Sequence, residues 1–203
     1  MKKFVLATAA ATALSIGAPA LALAQDAPGA TTDTGAYANL GWSHLSTNGV
    51  NNEGIQGRLG YRFMPFLGVE GELRGGLTTG HNNYSVTTGT PPVTSTATFG
   101  VKQTIAGSGY VVGFVPLMSN RFDLLARVGY GWSRYNLSTG GAVIGHANEH
   151  GIRYGAGAQY LFDGANGVRV DWTRENMNNW SVPNGSGLNN HADVWGVSFV
   201  HKF

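Results

Sequence analysis

Polarity alternates with period two over most of this chain and never gives way to a helical period, which limits the fold more than any other feature. From Gly54 to Phe63, the side chains of Ile55, Gly57, Leu59, Tyr61 and Phe63 fall on one face, against Gln56, Arg58, Gly60 and Arg62 on the other. The next segment sets Leu67, Val69, Gly71 and Leu73 against Glu70, Glu72 and Arg74, after a short Met64-Pro65 turn. The same parity sets Leu124, Ala126, Val128, Tyr130 and Trp132 against Asp123, Arg127 and Ser133. It also separates Ile152, Tyr154, Tyr160 and Phe162 from Arg153 and Gln159, and Val168, Val170 and Trp172 from Arg169 and Asp171. Trp195, Val197, Phe199 and Phe203 oppose Ser198 and Lys202, while Ala36, Ala38, Leu40 and Trp42 make a first strand beside Tyr37 and Asn39. Between Thr98 and Val115 the apolar residues Tyr110, Val112 and Phe114 compete with Val111, Gly113 and Val115 for one face, and only Lys102 is assigned, to the charged side. The segments number eight.

In each segment the charges share a face with glycines, and the opposite face carries almost none. A soluble eight-stranded barrel inverts this arrangement, with apolar residues lining a cavity and charges outside. A soluble sheet would need a second layer over its apolar face, and no segment of helical period supplies one. Lipid is the remaining cover. The expected fold is all-β: an eight-stranded antiparallel up-and-down transmembrane barrel. Short links at Met64-Pro65, Pro116 to Asn120 and Asp163 to Gly167 alternate with longer polar ones at Ser46 to Asn52, Gly76 to Thr96, Asn136 to His150 and Asn176 to His191. Such asymmetry separates short periplasmic turns from long outer loops. Glycine at 31 of 203 residues and only 12% charged residues suit turns and strands.

The chain opens with the basic Met1-Lys2-Lys3, an uncharged apolar stretch from Phe4 to Ile16, and the small-x-small site Ala22-Leu23-Ala24. Residues 1–24 are therefore expected to be a signal peptide removed near Ala24, residues 25–34 a flexible lead-in, and residues 35–203 the barrel. Removing Lys2 and Lys3 leaves 11 basic residues against 11 acidic ones, which is no footprint for nucleic acid. The absence of cysteine excludes disulfides, thiolate metal sites and cysteine nucleophiles.

Phe63-Met64-Pro65-Phe66-Leu67-Gly68-Val69-Glu70-Gly71-Glu72 and Arg127-Val128-Gly129-Tyr130-Gly131-Trp132 are the most specific local features. With them the chain resembles, over essentially its whole mature length, the small outer-membrane β-barrels typified by OmpX and the OmpA membrane domain. The resemblance implies residence in a Gram-negative outer membrane among lipid and lipopolysaccharide, an interior salt-bridge network, and recognition of the C-terminal strand by the outer-membrane assembly machinery. Trp195, Val197, Phe199 and Phe203 would carry that assembly signal.

The charged face gathers Arg58, Arg62, Glu70, Glu72, Lys102, Asp123, Arg127, Arg153, Arg169, Asp171 and Lys202 inside the barrel. An eight-stranded interior is only wide enough to be filled by side chains, so these residues read as a salt-bridged plug, with a narrow pore as the competing reading. Trp42 and Trp132 near the outer strand ends, with Phe63 and Phe162 near the periplasmic ends, read as aromatic girdles. His44, His81, His146, His150 and His191 fall at or beyond the outer rim, and no metal or other cofactor is assigned to them. His44 and Ser46, two apart on one strand, share a face and could pair a base with a nucleophile, with Glu53 orienting the base. That grouping is similar to the site of the lipid A deacylase PagL, so a lipid A acyl hydrolase stands as the alternative to a non-enzymatic barrel. For the latter the expected role is structural, with surface interaction or adhesion through the outer loops and a loop ligand the sequence does not name.

Overall fold

The computed structural model describes residues 34–47, 49–88, 93–117, 121–177 and 190–203. The expected signal peptide, and all of the lead-in except Thr34, lie outside these residues. The strands are β1 (Gly35–Thr47), β2 (Val50–Met64), β3 (Leu67–Gly76), β4 (Gly80–Thr88), β5 (Val93–Leu117), β6 (Phe122–Thr139), β7 (Ala142–Leu161), β8 (Asn166–Asn176) and β9 (His191–Lys202). All pairings are antiparallel. The order β3-β2-β1-β9-β8-β7-β6-β5-β4, with β3 also pairing β5, closes the sheet on itself.

The closed ring has eight strands, because β4 prolongs the β3 ladder. The inner half of β5 pairs β3 from Ala106 to Gly113, and its outer half pairs β4 from Val93 to Val101. Between the two pieces, Leu77 and Thr78 donate their amides to the Glu53 carbonyl at 2.7 and 3.2 Å. The 76–96 segment, expected to be a loop, is therefore largely a hairpin. Its sequence is compatible with strands: Val93, Ala97, Phe99 and Val101 alternate with Thr94, Thr96, Thr98 and Gly100, a period of two that no charged residue sharpens.

The expected loop from Asn136 to His150 is likewise β-structured: β6 and β7 run on to Thr139 and from Ala142 and meet at a two-residue turn. Gly140 and Gly141 hold φ of 58° and 85° there, the pair of positive values that a tight hairpin turn requires. At the first outer link β1 and β2 leave only residues 48 and 49 between them, in place of the expected Ser46–Asn52 loop. The loop beyond Asn176 lies mostly outside the described residues.

A strand crossing a bilayer at a tilt needs about 9–11 residues. β8 has 11 and β9 has 12, whereas β5 has 25 and β7 has 20. The surplus lies at the end opposite the Leu117–Phe122 turn, so the β4–β5 and β6–β7 hairpins stand above one side of the outer rim. From Val93 to Gln103 this arm runs roughly 35 Å along the strand.

Alternation sets the faces. Leu40, Leu59 and Leu73 point outward at 69%, 71% and 64% exposure, while Arg58, Arg62, Glu70 and Glu72 are buried inside. The open question over 110–115 resolves with Val111 and Val115 outward and Tyr110, Val112 and Phe114 inward. Those three belong to an apolar cluster with Tyr37, Leu125, Leu161 and Val200 that fills the periplasmic end of the barrel. A second cluster of Leu45, Tyr135, Met177, Ala192 and Val194 fills the outer end. The interior is thus layered, with a charged middle between two apolar caps.

Candidate functional site

Parity delivers the charged layer: β2 supplies Arg58 and Arg62, β3 Glu70, Glu72 and Arg74, β6 Asp123 and Arg127, β7 Glu149 and Arg153, and β8 Arg169, Asp171 and Glu175. All twelve are buried, six guanidinium groups against six carboxylates. Arg58 donates from Nε to Glu72 at 2.7 Å and from its two terminal nitrogens to both oxygens of Asp171 at 2.7 and 2.8 Å. Arg127 donates to Glu70 at 3.0 Å, Glu72 at 3.3 Å and Asp171 at 2.7 Å, and also to the Thr173 hydroxyl. Arg169 holds Glu70 at 2.7 and 3.3 Å, and the Tyr37 hydroxyl donates to the same carboxylate at 3.1 Å.

Toward the periplasm Arg62 reaches Asp123 at 3.3 Å, and toward the outer end Glu175 accepts from Arg74 and lies 3.2 Å from Arg153. Arg62 stacks on Phe114 at 4.4 Å and Arg127 on Tyr110 at 4.6 Å, which seats the guanidinium planes against the apolar cap. Forked bonds of this kind fix strand register, and they do so only while every charge keeps a partner.

Two residues assigned to the interior stand apart from this layer. Lys202 faces inward opposite Tyr37 but sits half-buried at the periplasmic rim. Lys102 is a correction. A bulge between Gln103 and Ile105 resets the alternation, so Gln103 is buried beside Tyr135 while Lys102, opposite Asn136, takes the outward face. Arg74, on the charged face of β3, joins the buried set, as do Glu149 and Glu175, which lie beyond the alternating segments marked in the sequence. Glu175 has the same parity as Arg169, Asp171 and Thr173, a signal that extends the strand three residues beyond Trp172.

On the outward face, His44 lies between Trp195 of β9 and Glu53 of β2 in register, and its Nδ1 is 2.7 Å from Glu53 Oε1. Ser46 follows on the same face, between Asn51 and Asp193. No hydrogen bond joins Ser46 to His44. Trp42, Trp132 and Trp195 are exposed near the outer strand ends, and Phe63, Phe162 and Phe203 near the periplasmic ends. Among the described residues, no three His, Asp or Glu side chains group as metal ligands.

A closed ring with an apolar wall, aromatic rings at both edges and a paired polar interior defines an integral β-barrel of the bacterial outer membrane. The family model for the outer membrane protein beta-barrel domain matches residues 6–203, and the chain belongs to that family. Its structure is similar to the outer membrane protein OprG from Pseudomonas aeruginosa, at 13% identity and a TM-score of 0.57, covering 87% of this chain and 99% of that one. Neisserial surface protein A matches at 11% identity and a TM-score of 0.53, covering 83% and 96%. Ail, the attachment invasion locus protein of Yersinia pestis, crystallised in complex with the heparin analogue sucrose octasulfate, matches at 14% identity and a TM-score of 0.50, covering 85% and 100%. At these identities the likeness is one of fold. No curated protein matches the chain in sequence.

Proposed function

We propose that this barrel is a non-enzymatic surface-recognition protein that holds an outer β-arm toward a partner outside the cell. The arm carries this reading: β5 and β7 have roughly twice the residues a membrane crossing needs, all the surplus stands at the outer end, and hairpin pairing keeps it ordered. Residues 77–100 contain no Asp, Glu, Lys or Arg and are rich in Thr, Ser and Asn, which suits hydrogen bonding to an uncharged partner. Ail, of similar fold, has been crystallised with a sulfated heparin analogue, whereas the charge-free arm here suits an unsulfated, neutral glycan. In the same reading residues 1–24 are removed on export, and Trp195, Val197, Phe199 and Phe203 are read by the assembly machinery. Gly80 and Val101 are register partners, so the arm can be replaced by a two-residue turn between them. Cells displaying that variant should lose adhesion to epithelial monolayers and glycan-coated surfaces while its barrel still shifts on a gel after boiling. Undiminished adhesion contradicts the proposal.

The His44–Glu53 contact favours a second reading, a lipid A acyl hydrolase in which Glu53 orients His44 and His44 activates Ser46. A mass spectrum of lipid A with wild type, His44→Ala and Ser46→Ala tests it. Loss of an acyl chain that needs both residues would replace the first reading with this one.

A further inference from the structure

The two sides of the outer rim differ in charge. Across β8, β9, β1 and β2 the outward basic side chains have carboxylate partners: Arg174 pairs with Asp193 at 2.9 Å, and His44 hydrogen-bonds Glu53. Across β5, β6 and β7 the outward positions above the aromatic belt hold Lys102 and Arg134, with His146 and His150 beside them. Residues 73–122 and 124–148 contain no Asp or Glu at all, and the next carboxylate, Glu149, is buried inside. Lys102 and Arg134 have no ion pair among the described residues. They are diagonal neighbours across the β5–β6 ladder, roughly 8 Å apart.

Below them, from Gly107 on β5 and Trp132 on β6, the wall is hollow. In register, Leu59, Gly71, Gly109 and Tyr130 make one outward row, and Gly57, Leu73, Gly107 and Trp132 the next. The glycines floor an open groove of about 770 Å³ walled on its β6 side by Tyr130 and Trp132, and a hollow of about 610 Å³ continues it toward the periplasm. The Trp132 indole lies over Gly107, where a Cβ would come within 2.9 Å of it, whereas nothing stands within 4 Å of a Cβ on Gly109. Basic residues placed above an apolar groove at the outer edge of the bilayer match a lipid whose phosphates sit above its acyl chains.

We propose that this wall is a binding site for the lipid A part of lipopolysaccharide, with its phosphates on Lys102 and Arg134 and an acyl chain in the Gly57–Gly71–Gly109 groove. The charge asymmetry selects this side of the barrel, and the outer-leaflet height selects lipopolysaccharide over a glycerophospholipid. The inference rests on the outer-membrane reading and is independent of what the arm recognises.

The test is native mass spectrometry of the refolded full chain with three probes: bis-phosphorylated hexa-acyl lipid A, the same lipid dephosphorylated, and phosphatidylglycerol. Wild type should retain the phosphorylated lipid A about tenfold better than either competitor, and K102Q/R134Q should lose that preference, two surface cations being worth about a tenfold to thirtyfold effect. Gly109→Leu should weaken both forms of lipid A while keeping the phosphate preference, and R121Q, at the periplasmic end, should change nothing. Equal retention of all three lipids by wild type overturns the site, and so does an undiminished preference in K102Q/R134Q. The wild-type comparison holds even if a variant fails to fold. A chain that shows no heat shift on a gel refutes the barrel, whereas a heat-shifting barrel without lipid preference refutes only this site.

Discussion

Arg58→Met removes the hub of the buried network and nearly preserves its volume. Arg58 makes three charged hydrogen bonds of 2.7–2.8 Å, two to Asp171 and one to Glu72, and all three side chains are at most 3% exposed. Removing one member of a buried ion pair costs about 3–5 kcal/mol, because the partner is left charged in a dry site. Here Arg127 still reaches Asp171 at 2.7 Å and Glu72 at 3.3 Å, so the expected loss falls at the lower end, about 3 kcal/mol. The variant leaves five buried guanidinium groups against six carboxylates, so adding Asp171→Asn restores the balance and should recover about 1–2 kcal/mol, a non-additivity typical of contacting residues. Urea unfolding in lipid vesicles, followed by tryptophan fluorescence, gives both quantities. A loss below about 0.5 kcal/mol for Arg58→Met would mean that water screens these charges, and the picture of a filled interior would fail.

Gly60 lies under the Tyr37 ring, where any Cβ collides, so Gly60→Val should displace Tyr37 from Glu70 and lower stability by about 1–3 kcal/mol in the same urea assay. In planar bilayers the wild-type barrel should give no steady nanosiemens steps, since apolar caps close both ends of the charged layer; such steps would show an open path. In the β7–β8 turn, Asp163 accepts bonds from the Asn166 side chain and from the Asn166 and Ala165 amides, which hold its carboxyl down to about 2. Because this folded value lies below the ordinary one near 4, the turn's contribution is complete above about pH 4 and is lost as the pH falls toward 2. Carboxyl NMR should place the titration there, and an ordinary value would show that the turn's bonds are not formed in solution.

The barrel was legible because alternation is a two-sided signal: Ile55, Leu59 and Tyr61 meet lipid for the same reason that Gln56, Arg58 and Arg62 meet each other. That signal fails where a face is not defined by polarity. Tyr110, Val112 and Phe114 are as apolar as the lipid-facing residues beside them, and they turn inward because they cap the charged layer with Tyr37 and Leu125. The β4–β5 arm carries a period of two, Val93, Ala97, Phe99 and Val101 against Thr94, Thr96 and Thr98, but no charge marks either face, so it reads as a polar loop. Lys102 faces out, not in, because a bulge inserts one residue and flips everything beyond it, which no local pattern marks. Pairing partners such as Arg74 with Glu175 lie 101 residues apart and become visible only once the ring closes.

This protein is a barrel turned inside out, with its apolar side chains against lipid. Trp42, Trp132 and Trp195 are 45–53% exposed on the outer wall, so chain-brominated lipids test it most directly. In vesicles of such lipids the tryptophan emission of a Trp180→Phe chain, freed of the tryptophan between β8 and β9, should be mostly quenched, while aqueous iodide should leave it nearly unchanged. Emission that iodide quenches and bromine does not would place those rings in water and contradict the account.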